Sequence, residues 1–334
     1  MSELPSLPDL NRHLSDLLRQ IPHGRVTTYG DLATALGDDA ARSARWIGEV
    51  VGHCRGGLLA GFDPQSHSPC LCHRVVRQTG EPGLFVLDPE EKTARLKSEG
   101  VTFLDERVDL AQCRWHEIQS EQPLTQLREL QSQWSQEVQL IEYKGPVRNI
   151  GALDVAYRPD GTAVGAMVIV DGISLEVTWS RVVELPEPFP YIPGYLSFRE
   201  LPVLLELWQQ ANKAECLPDV VFIDGNGILH HRRMGIAACF GVLTNTPTLG
   251  VGKSLLCGRV NLEEMSEHDR RPIELNGELV GHALKSKSSS RPVFISPGHG
   301  LTVEQATQLA KSTMTAHRVP EPIYHADSLT KRAK

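Results

Sequence analysis

The chain has 334 residues, enough for two average domains, and its 40% hydrophobic and 22% charged residues point to a soluble globular protein, not a collagen-like, disordered or membrane one. Formal net charge is −7; the first 117 residues carry 13 basic and 17 acidic side chains and the remainder 21 and 24, so neither part has the basic excess that announces nucleic-acid binding. Contact with nucleic acid therefore has to come from local clusters such as Arg42 with Arg45, or His230-His231-Arg232-Arg233. No apolar run approaches the roughly 18 residues of a membrane-spanning helix, and the first residues lack the basic and apolar regions of a signal peptide. A cytoplasmic protein with no membrane partner is expected.

Taken in chain order, Leu10, Leu14, Leu17, Leu18 and Ile21 follow helical spacing, closed by Pro22 and Gly24. A second short helix is expected over 31–36, a turn at Gly37-Asp38-Asp39 and a third helix over 40–51; this is the outline of a helix-turn-helix and equally of a plain helical hairpin. Residues 52–69 read as loop, 92–98 as helix, and the glutamine-rich 119–140 as an amphipathic helix through Leu124, Leu127, Leu130 and Trp134. The domain boundary is placed near residue 117, giving domains 1–117 and 118–334. In the second, 150–157 and 163–170 read as strands, and Asp171-Gly172 as a tight hairpin turn leading into a strand over 173–179. Val220 to Ile223 is a buried-type strand ending in Asp224-Gly225-Asn226-Gly227, and 201–210 and 303–311 read as helices, the latter behind a Thr302/Gln305 capping box. The chain is α/β overall, with a mixed sheet in its second domain.

Seven scattered cysteines (54, 70, 72, 113, 216, 239 and 257) do not form a disulfide framework. Cys70 and Cys72, with His53, Cys54 and His73 nearby, could be zinc ligands, but a single intervening residue is tighter than the usual spacing, so no zinc is expected. Cys72 beside His73 and Arg74 could also be an activated nucleophile, or an inert buried thiol. Asp154 and Asp224 sit at or inside apolar strands, where an ionised carboxylate is expensive unless paired or metal-bound. With Glu200 they would make a hard-oxygen cluster suited to magnesium. Asp224 could equally start its turn, and Ser197-Phe-Arg-Glu200 is itself a capping box. Gly252-Lys253-Ser254 suggests a P-loop, but Pro247 stands where that loop needs glycine, which excludes it; no organic cofactor is expected.

Five ordered stretches of the second domain resemble the endonuclease V family: Leu153-Asp-Val-Ala-Tyr157, Pro190-Tyr-Ile-Pro-Gly-Tyr-Leu-Ser-Phe-Arg-Glu200, Ile223-Asp-Gly-Asn-Gly-Ile-Leu-His230, Leu249-Gly-Val-Gly-Lys-Ser254 and Ser296-Pro-Gly-His299. The resemblance implies a ribonuclease H-like fold and hydrolysis of the second phosphodiester 3′ to a deaminated base such as deoxyinosine, with inosine in RNA as an alternative substrate. It makes Asp154 and Asp224 ligands of magnesium, or of manganese, and Glu200 the third acid, acting partly through water. It gives His299 a place at the scissile phosphate, Lys253 a phosphate contact, Pro190, Tyr191, Ile192 and Pro193 the role of a wedge in the base stack, and Gly225 close backbone approach to a flipped base.

The first domain resembles the DNA-binding half of the O6-alkylguanine-DNA alkyltransferases and the alkyltransferase-like proteins. The stretches are Ile21-Pro-His-Gly-Arg-Val-Thr-Thr-Tyr-Gly-Asp-Leu-Ala33, Ser43-Ala-Arg-Trp-Ile-Gly48, Cys72-His-Arg-Val-Val76 and Ser98-Glu-Gly-Val-Thr-Phe103, continuing to Val108-Asp-Leu110 and Trp115. The resemblance implies a mainly helical, winged helix-turn-helix-like fold. Cys72 would accept the alkyl group irreversibly, activated by His73 with Glu99 behind it; Arg45 would fill the space of the flipped nucleotide and Tyr29 would press on its phosphate. Leu71 replaces the family's proline, the hinge asparagine is missing, and 83–89 differs from the usual pocket segment. Lesion binding without transfer is therefore the alternative. The whole reads as a monomeric repair fusion acting on damaged duplex DNA.

Overall fold

The computed structural model describes residues 4–54, 71–85 and 89–334. They fall into two compact units, one of Leu7–Glu129 with Phe189–Pro193, the other of Leu130–Pro188 and Gly194–Lys334 together with the first residues. Cys70, and most of the loop expected over 52–69, lie outside the described residues.

In the first unit, the Asp9 carboxylate accepts the Arg12 N–H at 3.0 Å and so starts α1 (Leu10–Arg19), which buries Leu10, Leu14, Leu17 and Leu18. β1 (Thr27–Thr28) leads into α2 (Tyr29–Ala35), opened by a reciprocal Thr28/Asp31 capping box. The third helix was expected from residue 40, yet α3 spans Ala44–Gly52. The buried Asp38 carboxylate accepts the N–H groups of Ser43 (2.5 Å) and Ala40 (3.3 Å), and Ala41 takes a left-handed φ of 48°, so this stretch is a side-chain-capped turn. A 3₁₀ turn, Leu71–Arg74, precedes β2 (Val75–Val76), which pairs in parallel with β1. Then come α4 (Pro89–Ser98), an antiparallel ribbon of β3 (Phe103–Leu104) and β4 (Arg107–Val108), α5 (Leu110–Cys113), and α6 (Pro123–Ser135), which is shorter than the expected 119–140 and whose residues from Leu130 on belong to the second unit. The unit is mainly helical, with α2 and α3 as the helical pair and β3–β4 as the wing.

The second unit opens with an antiparallel meander, β5 (Asn149–Tyr157), β6 (Thr162–Asp171) and β7 (Val177–Pro186). The tight Asp-Gly turn is not formed. The Asp171 carboxylate instead accepts the N–H groups of Ile173 (3.0 Å) and Ser174 (2.8 Å), and the left-handed residue is Leu175 at φ 59°. That longer turn delays the third strand from 173 to 177. Next come α7 (Leu196–Lys213), β8 (Val220–Asp224), α8 (Ile236–Thr244), β9 (Thr248–Gly252), β10 (Arg270–Leu275), β11 (Glu278–Leu284), β12 (Val293–His299), α9 (Val303–Ser312) and α10 (Glu321–Ala333). The eight strands form one mixed sheet, in the order β10-β11-β12-β9-β8-β5-β6-β7, with β8 parallel to β5 and β9.

Side chains alternate across a strand, and this decides what each face buries. Ile150 and Ala152 of β5, Val220 and Phe222 of β8, and Leu249 and Val251 of β9 pack with Ala306 and Ala310 of α9 and Ile323 and Ala326 of α10. α7 and α8 are joined by an edge-on contact of Trp208 with Phe240. Among the described residues, no helix is long and apolar enough to cross a membrane.

Candidate catalytic sites

The alternation that buries Ile150 and Ala152 beneath α10 aims the next even residue, Asp154, at the same face, and Val220 and Phe222 do the same for Asp224. Leu153 is in register with Ile223 on the parallel strand, so the two acids stand one rung further, side by side where β8 ends and β5 runs on to Tyr157. α10 contributes Asp327, and oxygens of Asp154, Asp224 and Asp327 all lie within 4.8 Å of one another. Three hard carboxylate oxygens at that spacing fit one divalent cation. Thr330, one turn after Asp327, donates its hydroxyl to Asp154 Oδ2 at 2.5 Å. Lys253, just past β9, reaches Asp224 Oδ2 at 2.5 Å and Asp327 Oδ1 at 3.3 Å, and Lys331 holds Asp327 Oδ2 at 2.5 Å.

Burial, reinforced by the Asp224 charge, pushes the Asp154 carboxyl up to about 7. Glu200 comes from α7; burial and the charges of Asp224 and Asp154 hold its carboxyl well above the usual range. The helix is capped by Tyr195 without a side-chain hydrogen bond, so Ser197 and Glu200 form no capping box. Partial burial works against the Lys253 ammonium, but Asp224 outweighs it and raises the lysine's pKa.

His299 is not brought to these acids. It pairs in register with Thr248, which pairs with Val221, three residues before Asp224 and so about 10 Å back along the sheet. There it is buried against α8, where a Cβ on Gly241 would lie 2.6 Å from that of His299, and its Nδ1 accepts the Gln139 N–H at 3.4 Å. Burial lowers its pKa. Asp327 stands beside Asp154 and Asp224 instead. A signal was present: Ile323, Ala326, Asp327 and Thr330 share one helical stripe, and an acid on an otherwise core-facing stripe needs a partner.

The turn after Asp224 is packed without room for side chains. Gly225 has φ 146°, and a Cβ there would lie 2.4 Å from Ile236 Cγ2; one on Gly250 would lie 2.4 Å from the Gly227 nitrogen. Of the expected wedge, Tyr191 is 57% exposed and Pro193 is exposed, whereas Ile192 is buried. Arg232 donates to the Gly194 carbonyl at the start of this helix-leading segment and to Gln131 Oε1 at 2.8 Å, with its guanidinium 5.0 Å from the Tyr195 ring.

In the first unit, Cys72 is fully buried in the 3₁₀ turn. His73 Nε2 lies 2.7 Å from Glu99 Oε1, and Glu99 also accepts Arg74 Nε at 2.8 Å and the Gly24 N–H at 3.3 Å. Burial opposes the Glu99 charge, but the Arg74 and His73 hydrogen bonds prevail and hold its carboxyl at about 2. Tyr29 is half-buried at the start of α2, and burial raises its phenol. Arg45 on α3 is 89% exposed and meets Glu49 at 3.3 Å. Lys92, overlooked in the sequence, is fully buried and donates to the carbonyls of Val75 (2.6 Å) and Leu84 (3.3 Å); burial brings its pKa down to about 8. Its place one turn before the buried Leu96 was the available sign.

Comparison with known proteins finds a relative family for each unit. Residues 129–328 match the Endonuclease V family model, and residues 9–101 match that of the 6-O-methylguanine DNA methyltransferase DNA binding domain. Endonuclease V of Xanthomonas campestris pv. campestris (strain 8004) is 40% identical over 211 residues, 63% of this chain and 88% of that protein. The catalytic domain of human endonuclease V superposes with a TM-score of 0.60 at 31% identity, covering 64% of this chain and 96% of that one. Ciona intestinalis endonuclease V, solved in complex with a 24mer DNA containing an inosine followed by a ribo-adenosine, gives 0.57 at 26% identity, covering 64% and 98%. With its acids on adjacent strands of a mixed sheet, the chain belongs to the endonuclease V family and carries, fused ahead of the nuclease, a DNA-binding domain of the alkylguanine methyltransferase type.

Proposed function

We propose that the nuclease, in residues 118–334, uses a divalent ion held by Asp154, Asp224 and Asp327, with Glu200 close by, to hydrolyse the second phosphodiester 3′ to deoxyinosine in duplex DNA. The observation that carries this reading is the three carboxylates within 4.8 Å of one another. When bound, magnesium or manganese supplies Lewis acidity toward the phosphoryl oxygens and makes a water a competent nucleophile. The protein's own groups do the rest. Thr330 fixes the Asp154 carboxylate, the Gly225–Gly227 turn admits close backbone approach to a base edge, and Tyr191 is the exposed aromatic that can stack beside the lesion. Lys253 supplies a cation for a DNA phosphate.

Residues 1–117 would bind O6-alkylguanine in DNA and transfer the alkyl group to Cys72. The His73–Glu99–Arg74 network supports that reading, because an anchored imidazole beside the cysteine is suited to removing the thiol proton. The ribo-adenosine following the inosine in the DNA bound by the Ciona relative favours one second reading, a preference for ribose at the cleaved step.

One experiment tests the pair. Full-length protein is incubated with magnesium and duplexes carrying a single deoxyinosine, with deoxyribose or ribose 3′ to it, or a single O6-methylguanine. Products are mapped to the nucleotide and the protein is weighed intact. A nick at the second bond and a mass gain of one methyl, absent in Cys72→Ser, are expected. Intact deoxyinosine DNA refutes the nuclease reading; faster cleavage of the ribose duplex selects the second one. An unchanged mass with the O6-methylguanine duplex bound reduces the first domain to a lesion reader.

A further inference from the structure

We propose that the Lys253 ammonium competes with the divalent ion for Asp224 and Asp327, so that this lysine sets the metal concentration at which the nuclease turns on. The proposal rests on the metal reading above.

The ammonium stands 2.5 Å from Asp224 Oδ2 and 3.3 Å from Asp327 Oδ1, two of the three carboxylates that converge. A divalent ion taking those oxygens leaves the lysine two courses, and both cost. If it stays, a positive charge remains next to a doubly charged ion. If it leaves, it gives up two charge-assisted hydrogen bonds. The other partners of the cluster compete less. Thr330 offers Asp154 an uncharged hydroxyl, and Lys331 meets only the second oxygen of Asp327 from a side chain that is 70% exposed.

The lysine's main chain cannot yield in its place. β9 is paired on both edges, and Arg318 donates to the Lys253 carbonyl at 2.7 Å while also gripping the carbonyls of Pro292 and Arg291 at 3.0 Å. Only the stem moves, and the side chain is 44% exposed, so its head has solvent to move into. Released from Asp224, the ammonium becomes available to a DNA phosphate, which couples metal loading to DNA contact.

The test is a Mn²⁺ titration of the full chain, free Mn²⁺ being read by electron paramagnetic resonance at fixed pH and salt, with no DNA present. Lys253→Met should bind at least roughly tenfold more tightly than the parent, since even at the dielectric of bulk water a unit charge about 5 Å from a divalent ion is worth that much. Lys253→Arg, which keeps the charge, should stay near the parent, and Asp224→Asn should abolish the site. Lys253→Gln carries the same expectation as Met should the Met variant not fold. Equal or weaker binding in the uncharged variants, with Asp224→Asn still abolishing the site, overturns the competition and leaves the metal reading standing. Parent binding that survives Asp224→Asn overturns the metal reading, and the competition with it.

Discussion

Asp154→Asn should make the metal-free nuclease more stable while destroying its activity. The folded carboxyl titrates at about 7 against 3.8 for an ordinary aspartate, so the native state holds the proton more tightly than the unfolded one. The sign follows from linkage: this group's stabilising contribution is full below about pH 4 and is lost as pH rises to about 7. At pH 8 the ionised form is worse than an unperturbed carboxylate by about 4 kcal/mol, from 1.36 kcal/mol per pH unit. Asparagine has nearly the same shape, keeps an oxygen for the Thr330 hydroxyl, and carries no charge to repel Asp224. Its buried amide costs about 1 kcal/mol of that gain. The net, about 2–3 kcal/mol, corresponds to roughly 5–10 °C for a unit of this size. Differential scanning calorimetry of the full chain in chelator measures it, the relevant transition being the one that divalent ions shift in the parent protein. The gain should appear at pH 8 and shrink to less than about 1 kcal/mol at pH 5, where the unfolded carboxyl is already ionised but the folded one is not. A variant less stable at pH 8, or equally stabilised at both pH values, would refute the electrostatic reasoning.

Three further outcomes are expected. Glu99→Gln should cost about 3 kcal/mol at pH 7, because a carboxyl held at about 2 contributes stability that is present above its ordinary value of 4.5 and lost as pH falls toward 2; urea unfolding at pH 7 and pH 4 should show the gap narrowing, and Cys72 alkylation should slow at least roughly tenfold. Gly225→Ala should cut nicking by roughly two orders of magnitude with Mn²⁺ binding intact; Ile236→Ala on top should restore only part, since it relieves the 2.4 Å contact but not the φ of 146°. Arg232→Met leaves the Gly194 carbonyl and Gln131 without their donor, so stability should fall by about 2 kcal/mol and KM should rise more than kcat falls, as seen by urea unfolding and steady-state nicking.

The parts legible in the sequence share one property: they are encoded by short-range pattern. Asp154 inside β5 and Asp224 at the end of β8 stand out because a charge interrupts an apolar run, and the alternation that exposes them to α10 is the same pattern seen in three dimensions. The Thr302/Gln305 capping box was read correctly for the same reason, both partners lying within one turn. What escaped depends on neighbours distant in sequence. Asp327 comes within reach of Asp154 only because α10 crosses the strand ends, 173 residues later. His299 is distant from the acids through strand register, which the Ser-Pro-Gly-His stretch does not encode. Ile192 looked like part of an exposed apolar tip and is buried, a distinction that hydrophobicity cannot make. The turns at Asp38 and Asp171 were misread because an aspartate side chain took backbone N–H groups that propensity assigns to a helix or a two-residue hairpin.

The proposed nuclease centre joins Asp154, Asp224 and Asp327. It is tested most directly by the single-turnover nicking rate of a deoxyinosine duplex in magnesium, measured side by side for the parent, Asp327→Asn and His299→Asn. Asp327→Asn should lose at least roughly a hundredfold, the scale of removing one stabilising group from a reacting centre, and a folded His299→Asn less than about threefold. A reversal, with Asp327→Asn nearly as fast as the parent and His299→Asn inactive though folded, would contradict it.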